Sequence, residues 1–371
     1  HRAIEKIGMD PYEFFMKKHV IKFGDKRIFY GAEQICKCEP IKNAAAKAAE
    51  EFGWKEKWKG WGKPTKVNGT KIRAVGFGWG GIPAANMESF TAIVTLSHNN
   101  MIILTPGIVS YGSGQRENIR KLVAEVLNVP YDAIICPPPD TDAQPYWSWC
   151  TANCCNFALG NAVVRAAEDA KRKLFERAAP KLGVKPEDLE NKDFTVYVRD
   201  NPEKKLSWKE AIGGGLSIVG TGDNIANWNI VTYMVGFVEI ELDTETGKID
   251  IVNYIQATDA GRIISPLDAY QQLYNAVQQD IALREAYIID KATGRILNPN
   301  HIEFKCRSVG DLPPFKAIIT ETPVPDGPFG AKGLGECVGL FLPQAVYMAC
   351  LLYTSDAADE LDGVDLGGRR I

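Results

Sequence analysis

Gly327-Pro328-Phe329-Gly330-Ala331-Lys332-Gly333-Leu334-Gly335-Glu336 is the stretch on which the reading of this sequence turns. Its four glycines let the backbone come close to something bulky, because no Cβ stands in the way. They also deliver Glu336 to the start of an apolar run. A carboxylate presented there can serve as a general base, and it can equally well cap a helix. Spacing alone leaves both readings open.

Two further loops have similar chemistry. Gly112-Ser113-Gly114, followed by Gln115, leads into Ile119, Leu122, Val123, Val126 and Leu127, an apolar stripe at helical spacing. The exposed N–H groups at such a helix start suit an anion, although a tight strand-to-helix turn needs the same residues. The second loop is Asp140-Thr141-Asp142-Ala143-Gln144-Pro145, then Tyr146 to Trp149 and Cys150-Thr151-Ala152-Asn153-Cys154-Cys155. A helix is expected from about Cys154 to Arg177, so these small polar residues either approach a phosphate or supply an N-cap through Thr151 or Asn153. Gly76-Phe77-Gly78-Trp79-Gly80-Gly81 is a weaker candidate for nucleotide binding, because no helical pattern follows it.

Between the loops, Ala74–Phe77, Thr91–Leu96 and Met101–Val109 read as strands, with a turn at His98-Asn99-Asn100. Val238, Ile240 and Leu242 alternate with acidic residues and reach Ile249 and Ile251 through Asp243-Thr244-Glu245-Thr246-Gly247-Lys248, a hairpin signal. From Ala44 to Lys59 the pattern is helical, and Trp54 and Trp58 are expected to pack rather than to stack on bases. Lys63–Gly69 reads as a boundary. Strands and helices mix without strict alternation, which predicts an α+β fold of mixed sheets with packed helices.

The composition narrows the function. In 371 residues, 43 Lys+Arg face 46 Asp+Glu, so no basic excess supports nucleic-acid binding. No apolar run approaches the roughly 20 residues of a bilayer span, and a cytoplasmic location is expected. The nine cysteines show no paired C-x-x-C spacing and are expected to be reduced thiols. The chain starts at His1, in what reads as the middle of a helix that stops before Asp10-Pro11, so a fragment is expected.

Together these segments resemble the molybdenum-binding large subunit of the xanthine oxidase and aldehyde oxidoreductase family. The Gly327–Glu336 stretch is similar to the signature near that subunit's end. Ile7-Gly8-Met9-Asp10-Pro11-Tyr12-Glu13-Phe14 resembles its "LGMDPLEF" stretch, and Tyr111 to Pro130 its Gly-Gln-Gly loop and helix. Asp140-Thr141-Asp142 through Gly160-Asn161-Ala162 is similar to "DTd…GNA", Asp259 to Pro266 to "DvGraiNP", and Asp311-Leu312-Pro313 to "DlP".

The resemblance implies a molybdopterin cofactor, in its plain form or as the cytosine dinucleotide. It implies hydroxylation of an aldehyde or aromatic heterocycle with oxygen from water, and Glu336 as the base. Cofactor contacts are implied for Gly112, Ser113, Gly114, Gln115, Thr151, Ala152, Asn153, Cys154, Cys155, Gln272, Lys332, Gly333 and Gly335. Iron–sulfur clusters, with or without FAD, are implied on partner chains or on missing sequence, in a dimer of heteromers that acts on a small molecule. Residues 1–66 would end a first molybdopterin-binding domain, and 67–349 would form a second.

The sequence departs from the family at several positions. Ser113 replaces the glutamine of Gly-Gln-Gly, and Gln115, two positions on, is expected to point elsewhere unless the loop is rearranged. Asn153-Cys154 replaces a Ser-Arg pair, Gln271-Gln272 a Gly-Gln segment, and Asn275-Ala276 the glycines after it. Two alternatives follow: a reductive enzyme similar to 4-hydroxybenzoyl-CoA reductase, or a non-catalytic structural paralogue. Cys350 to Ile371 leaves the family pattern and resembles a translated sequencing adapter. It holds five acids and two bases, so the rest of the chain has 41 of each sign.

Overall fold

The computed structural model describes residues 2–19, 24–29, 32–35, 41–83, 89–110, 112–147, 153–225, 230–278, 287–300, 302–304, 312–336 and 341–359. Its main strands are β1 (Lys66–Asn68), β2 (Lys71–Pro83), β3 (Ser89–Ser97), β4 (Ile102–Pro106), β5 (Ile134–Ile135), β6 (Ser217–Ile225), β7 (Val231–Asp243), β8 (Ile249–Asp259) and β9 (Phe315–Thr320). The helices that pack on them are α1 (Lys42–Phe52), α2 (Gln115–Leu127), α3 (Gly160–Leu182), α4 (Pro266–Gln278) and α5 (Leu342–Asp359). The strands form a five-stranded sheet ordered β9-β8-β7-β2-β1 and a four-stranded sheet ordered β6-β3-β4-β5. The expected α+β architecture is what forms.

In the larger sheet β7 and β8 are the expected hairpin. Asp243 accepts the N–H groups of Glu245 and Thr246 on Oδ1, and Gly247 turns at φ 71°. β9 joins β8 in parallel, the one parallel pair in this sheet. Because helices cover both faces, β7 is buried almost end to end rather than alternating. On one face α1 brings Ala44, Ala45, Ala48 and Phe52 against Phe77, Phe237 and Ala257. Trp54 lies 5.4 Å from Phe237 and stacks on Trp58 at 5.2 Å, and its Nε1 donates to Asp10 Oδ2 at 2.9 Å. The tryptophans pack, as expected, and residues on both sides of Lys63–Gly69 share this core.

On the other face α5 lies unusually close. A Cβ on Gly76 would stand 1.8 Å from the Ala345 carbonyl oxygen, and one on Gly78 2.4 Å from that of Phe341. The Gly76–Gly81 run is therefore the middle of β2, thinned so that a helix backbone can lie on it, and not a nucleotide loop. α5 continues across residue 350 to Asp359, so the helix runs on into the segment read as foreign; residues 360–371 lie outside the described residues.

The smaller sheet shows the alternation expected of a strand with one buried face. Phe90, Ala92, Val94 and Leu96 of β3 point into a core shared with α2 and α3. The expected helix from Cys154 is a wide π-type turn over Cys155–Leu159 that runs into α3. Lys173 and Arg172 of α3 pair with Asp169, which also accepts the Thr221 N–H from β6. A three-stranded meander over residues 189–207 closes the far end. Among the described residues no helix is long and apolar enough to cross a membrane.

Candidate cofactor-binding cleft

The loop bearing Glu336 is folded tightly on itself before it reaches the cleft. Gly327 donates to Val324 O, Gly330 to Gly327 O, and Val324 back to Gly330 O at 3.0 Å. Phe329 and Gly330 both have positive φ, 51° and 88°. The chain then crosses the end of β8, where Lys332 N donates to Ala260 O at 3.0 Å and Arg262 N to Gly330 O at 2.9 Å. Two segments that the sequence places far apart, 259–266 and 327–336, thus become one wall.

That wall is locked by a buried ion pair. Lys332 Nζ lies 3.0 Å from Asp259 Oδ1, with the side chains only 1% and 5% exposed. Thr320 and Thr322 donate their hydroxyls to Asp259 Oδ2 at 2.9 and 2.7 Å, and Gly261 N–H donates to Oδ1. A buried cation needs such a counter-charge. The Lys332 ammonium is therefore committed to Asp259, while the residue, expected from the resemblance among the cofactor contacts, is part of the cleft lining.

The opposite wall comes from the turn before α3. Asn153 holds a left-handed backbone, φ 63°, and its Oδ1 accepts the Glu336 N–H at 2.7 Å. Gly333 lies so close that a Cβ there would stand 1.8 Å from the Asn153 carbonyl oxygen. Thr232, itself buried, donates its hydroxyl to Gly333 O. Between the walls lies a cleft of about 330 Å³, within the usual range of ligand pockets.

Four stretches line it: Gly112 to Asn118, Asn153 to Asn156, Ala260 to Gln272, and Ala331 to Glu336. Of the expected residues, Gly112, Ser113, Gln115, Asn153, Cys154, Cys155, Gln272, Lys332, Gly333, Gly335 and Glu336 are all on the lining. Gly114 stands just behind it as the N-cap of α2, φ 73°, against the Asp268 carboxylate. Thr151 and Ala152 lie outside the described residues. Glu336 is exposed.

Two expectations change. Gln115 does not point elsewhere: it is buried on the cleft wall, because residues 115, 119 and 122 share one face of α2 and Ile119 and Leu122 face the core. Cys155 is disulfide-bonded rather than a reduced thiol, whereas Cys136, Cys154 and Cys350 form no disulfide. Spacing along a chain does not reveal which sulfurs the fold brings together. Finally, Asn118, Asn156, Arg262 and Asp268 also line the cleft and were not singled out. Asn118 had a readable signal, as a polar residue on the stripe that continues through Leu122. Arg262 is exposed and has no ion pair among the described residues.

The donor set suits a large, polar, non-protein group. Buried side-chain atoms of Gln115, Asn118, Asn153 and Asn156 have no hydrogen-bond partner among the described residues, although all four residues line the cleft. Buried polar atoms are rarely left so, which fits a site completed by a ligand. Among the described residues no group of three or more His, Cys, Asp or Glu could hold a metal ion by itself.

An α+β scaffold with a glycine-walled, amide-lined cleft assembled from four distant stretches defines a protein that holds a bulky cofactor. The chain belongs to the molybdopterin cofactor-binding domain family, whose model matches residues 44–313. It is 28% identical over 327 residues to the 6-hydroxypseudooxynicotine dehydrogenase complex subunit gamma of Paenarthrobacter nicotinovorans, covering 83% of this chain and 40% of that one. It is 28% identical over 263 residues to the probable hypoxanthine oxidase XdhD of Escherichia coli strain K12, covering 69% and 27%. Among solved structures, quinoline 2-oxidoreductase from Pseudomonas putida 86 superposes with a TM-score of 0.81 at 18% identity, covering 96% of this chain and 48% of that one. At that identity the likeness bears on the fold. The chain spans less than half the length of each of these relatives.

Proposed function

We propose that this chain is the cofactor-facing part of a molybdenum hydroxylase that oxidises an aldehyde or an aromatic heterocycle with oxygen from water, with Glu336 as general base. The observation that carries this reading is the placement of Glu336: exposed at the cleft, its N–H fixed by Asn153. When bound, molybdopterin, plain or as its cytosine dinucleotide, supplies the two-electron redox chemistry of molybdenum. Gly112, Ser113 and Gly335 allow close backbone approach, Gly333 lines the cleft against Asn153, and Gln115, Asn153 and Gln272 offer side-chain amides. Gly114, Thr151, Ala152, Cys154 and Cys155 complete the proposed contacts, and Arg262 offers the cation for a phosphate.

The Glu336 carboxylate accepts on Oε the proton released as a water-derived hydroxyl attacks the electrophilic carbon of the substrate. The Lys332–Asp259 pair keeps the loop, and with it that carboxylate, in register with the cleft. Residues 67–349 then form a second molybdopterin-binding domain and 1–66 the end of the first, docked through the Trp54–Phe237 cluster. Electrons leave through iron–sulfur clusters, with or without FAD, on partner chains in a dimer of heteromers. The words "complex subunit" in the name of one relative support such an assembly.

The test is to produce the full-length parent with its partner subunits, measure bound molybdenum and pterin, and follow dye reduction by aldehydes and azaheterocycles. Quinoline and hypoxanthine belong in the panel because relatives are named for them. Glu336→Gln is expected to retain metal and pterin and to lose about 10²- to 10⁴-fold in turnover. A wild type without metal and pterin would sink the reading. A fully active Glu336→Gln would remove the base assignment alone.

A further inference from the structure

The first turn of α2 carries two side chains that the protein itself leaves incomplete. Gln115 and Asn118 are 4% and 3% exposed, and among the described residues nothing donates a hydrogen bond to Gln115 Oε1 or Asn118 Oδ1. Both residues line the cleft. Their positions, three apart on a helix, place them side by side on one face. A buried amide left without a partner is destabilising, so two on one turn are a large standing cost for a fold to keep. The helix start beside them is not capped by a side chain, and no heavy atom lies within 4 Å of where a Cβ on Gly112 would stand. Neutral side-chain amides with unmet acceptors are poor partners for an anion, whose oxygens would face theirs. They match a planar ring edge that carries N–H beside a ring nitrogen or carbonyl, which a terminal amide meets with two hydrogen bonds.

We propose that Gln115 and Asn118 form a recognition site for the N–H edge of an amino-substituted nitrogen heterocycle, the ring portion of the cofactor rather than its phosphate. This rests on the proposed function, because the ring is part of the group that function requires. Two sources share the chemistry, a pterin ring and a cytosine ring. The site accordingly takes its energy from completing two buried amides, and the cofactor-free protein bears their cost.

That cost makes the proposal testable by stability as well as by binding. The full-length protein with its partner subunits is produced in a host unable to make molybdopterin and in one that can, as wild type, as Gln115→Met, and as Gln115→Met/Asn118→Leu. The cofactor-free variants are expected to unfold at a higher temperature than the cofactor-free wild type, since an unpaired amide has been replaced by an apolar group of similar size. The cofactor-loaded variants are expected to retain about tenfold less pterin per protein. Cofactor-free wild type titrated with a pterin, with cytidine 5′-monophosphate and with inorganic phosphate should lose ring binding, and keep phosphate binding, on substitution. Whichever ring compound binds identifies the source. A lower unfolding temperature in the cofactor-free variants, unchanged pterin retention, or an equal loss of phosphate binding would each overturn the assignment. A wild type that holds no pterin in the competent host tells against the proposed function instead, and is read before any variant is compared.

Discussion

Asn153 reaches across the cleft and accepts the backbone N–H of Glu336 on Oδ1 at 2.7 Å, while its own backbone is held at φ 63°. Both properties are testable at once. Asn153→Gly keeps the left-handed conformation and removes the acceptor, whereas Asn153→Ala also adds about 1 kcal/mol of strain. Turnover per bound cofactor should fall in both variants, and thermal unfolding should show Ala below Gly. Equal unfolding temperatures would mean that the turn relaxes without strain.

The Lys332–Asp259 pair should be far more sensitive to losing one partner than both. Lys332→Met leaves a carboxylate buried among Thr320, Thr322 and Gly261 and is expected to cost about 3–5 kcal/mol. Adding Asp259→Leu should return a good part of that loss. Denaturant unfolding of the two single variants and the double variant gives the coupling, and simple additivity would show that the pair contributes little.

Glycine in β2 should be irreplaceable where glycine in the hairpin turn is not. A Cβ at Gly76 meets backbone of α5, which cannot move without undocking the helix, so Gly76→Ala should be severely destabilising or yield insoluble protein. Gly247 has open space and only a positive φ, so Gly247→Ala should cost about 1 kcal/mol. Side-by-side melting curves check the contrast.

Acid should loosen the contact between α3 and β6 through a single carboxyl. Partial burial pushes against ionisation of Asp169, yet bonds from Lys173, Arg172 and the Thr221 N–H outweigh it and hold the group down at about 2. Since the folded value lies below the unfolded one, the stabilisation is complete above the ordinary carboxyl range and disappears as pH falls through about 2. Asp169→Asn should therefore be less stable than wild type near neutrality, by about 1 kcal/mol after solvent screening, with the difference shrinking as pH falls. A difference independent of pH would assign the effect to packing.

Local chemistry explains what could be read in advance. The Asp243–Lys248 turn and the stripe from Ile119 to Leu127 each have their meaning within a few residues, and the fold uses them accordingly. Gly76–Gly81 could not be read, because its purpose depends on α5, which arrives more than two hundred residues later. The Lys332–Asp259 pairing was hidden for the same reason. Gln115 is different: its position on the face of Ile119 and Leu122 follows from helical spacing alone.

The cleft draws its lining from stretches near residues 112, 153, 262 and 332, and the last of these is also the one locked into place by a buried ion pair. During synthesis, a ribosome that has completed α2 and α3 has made half of the lining but no enclosure. The cofactor can therefore be enclosed only once the chain has been made through Glu336, which places loading after the synthesis of α2 and α3. The same arrangement makes any truncation before Gly333 a loss of the whole site rather than of one contact.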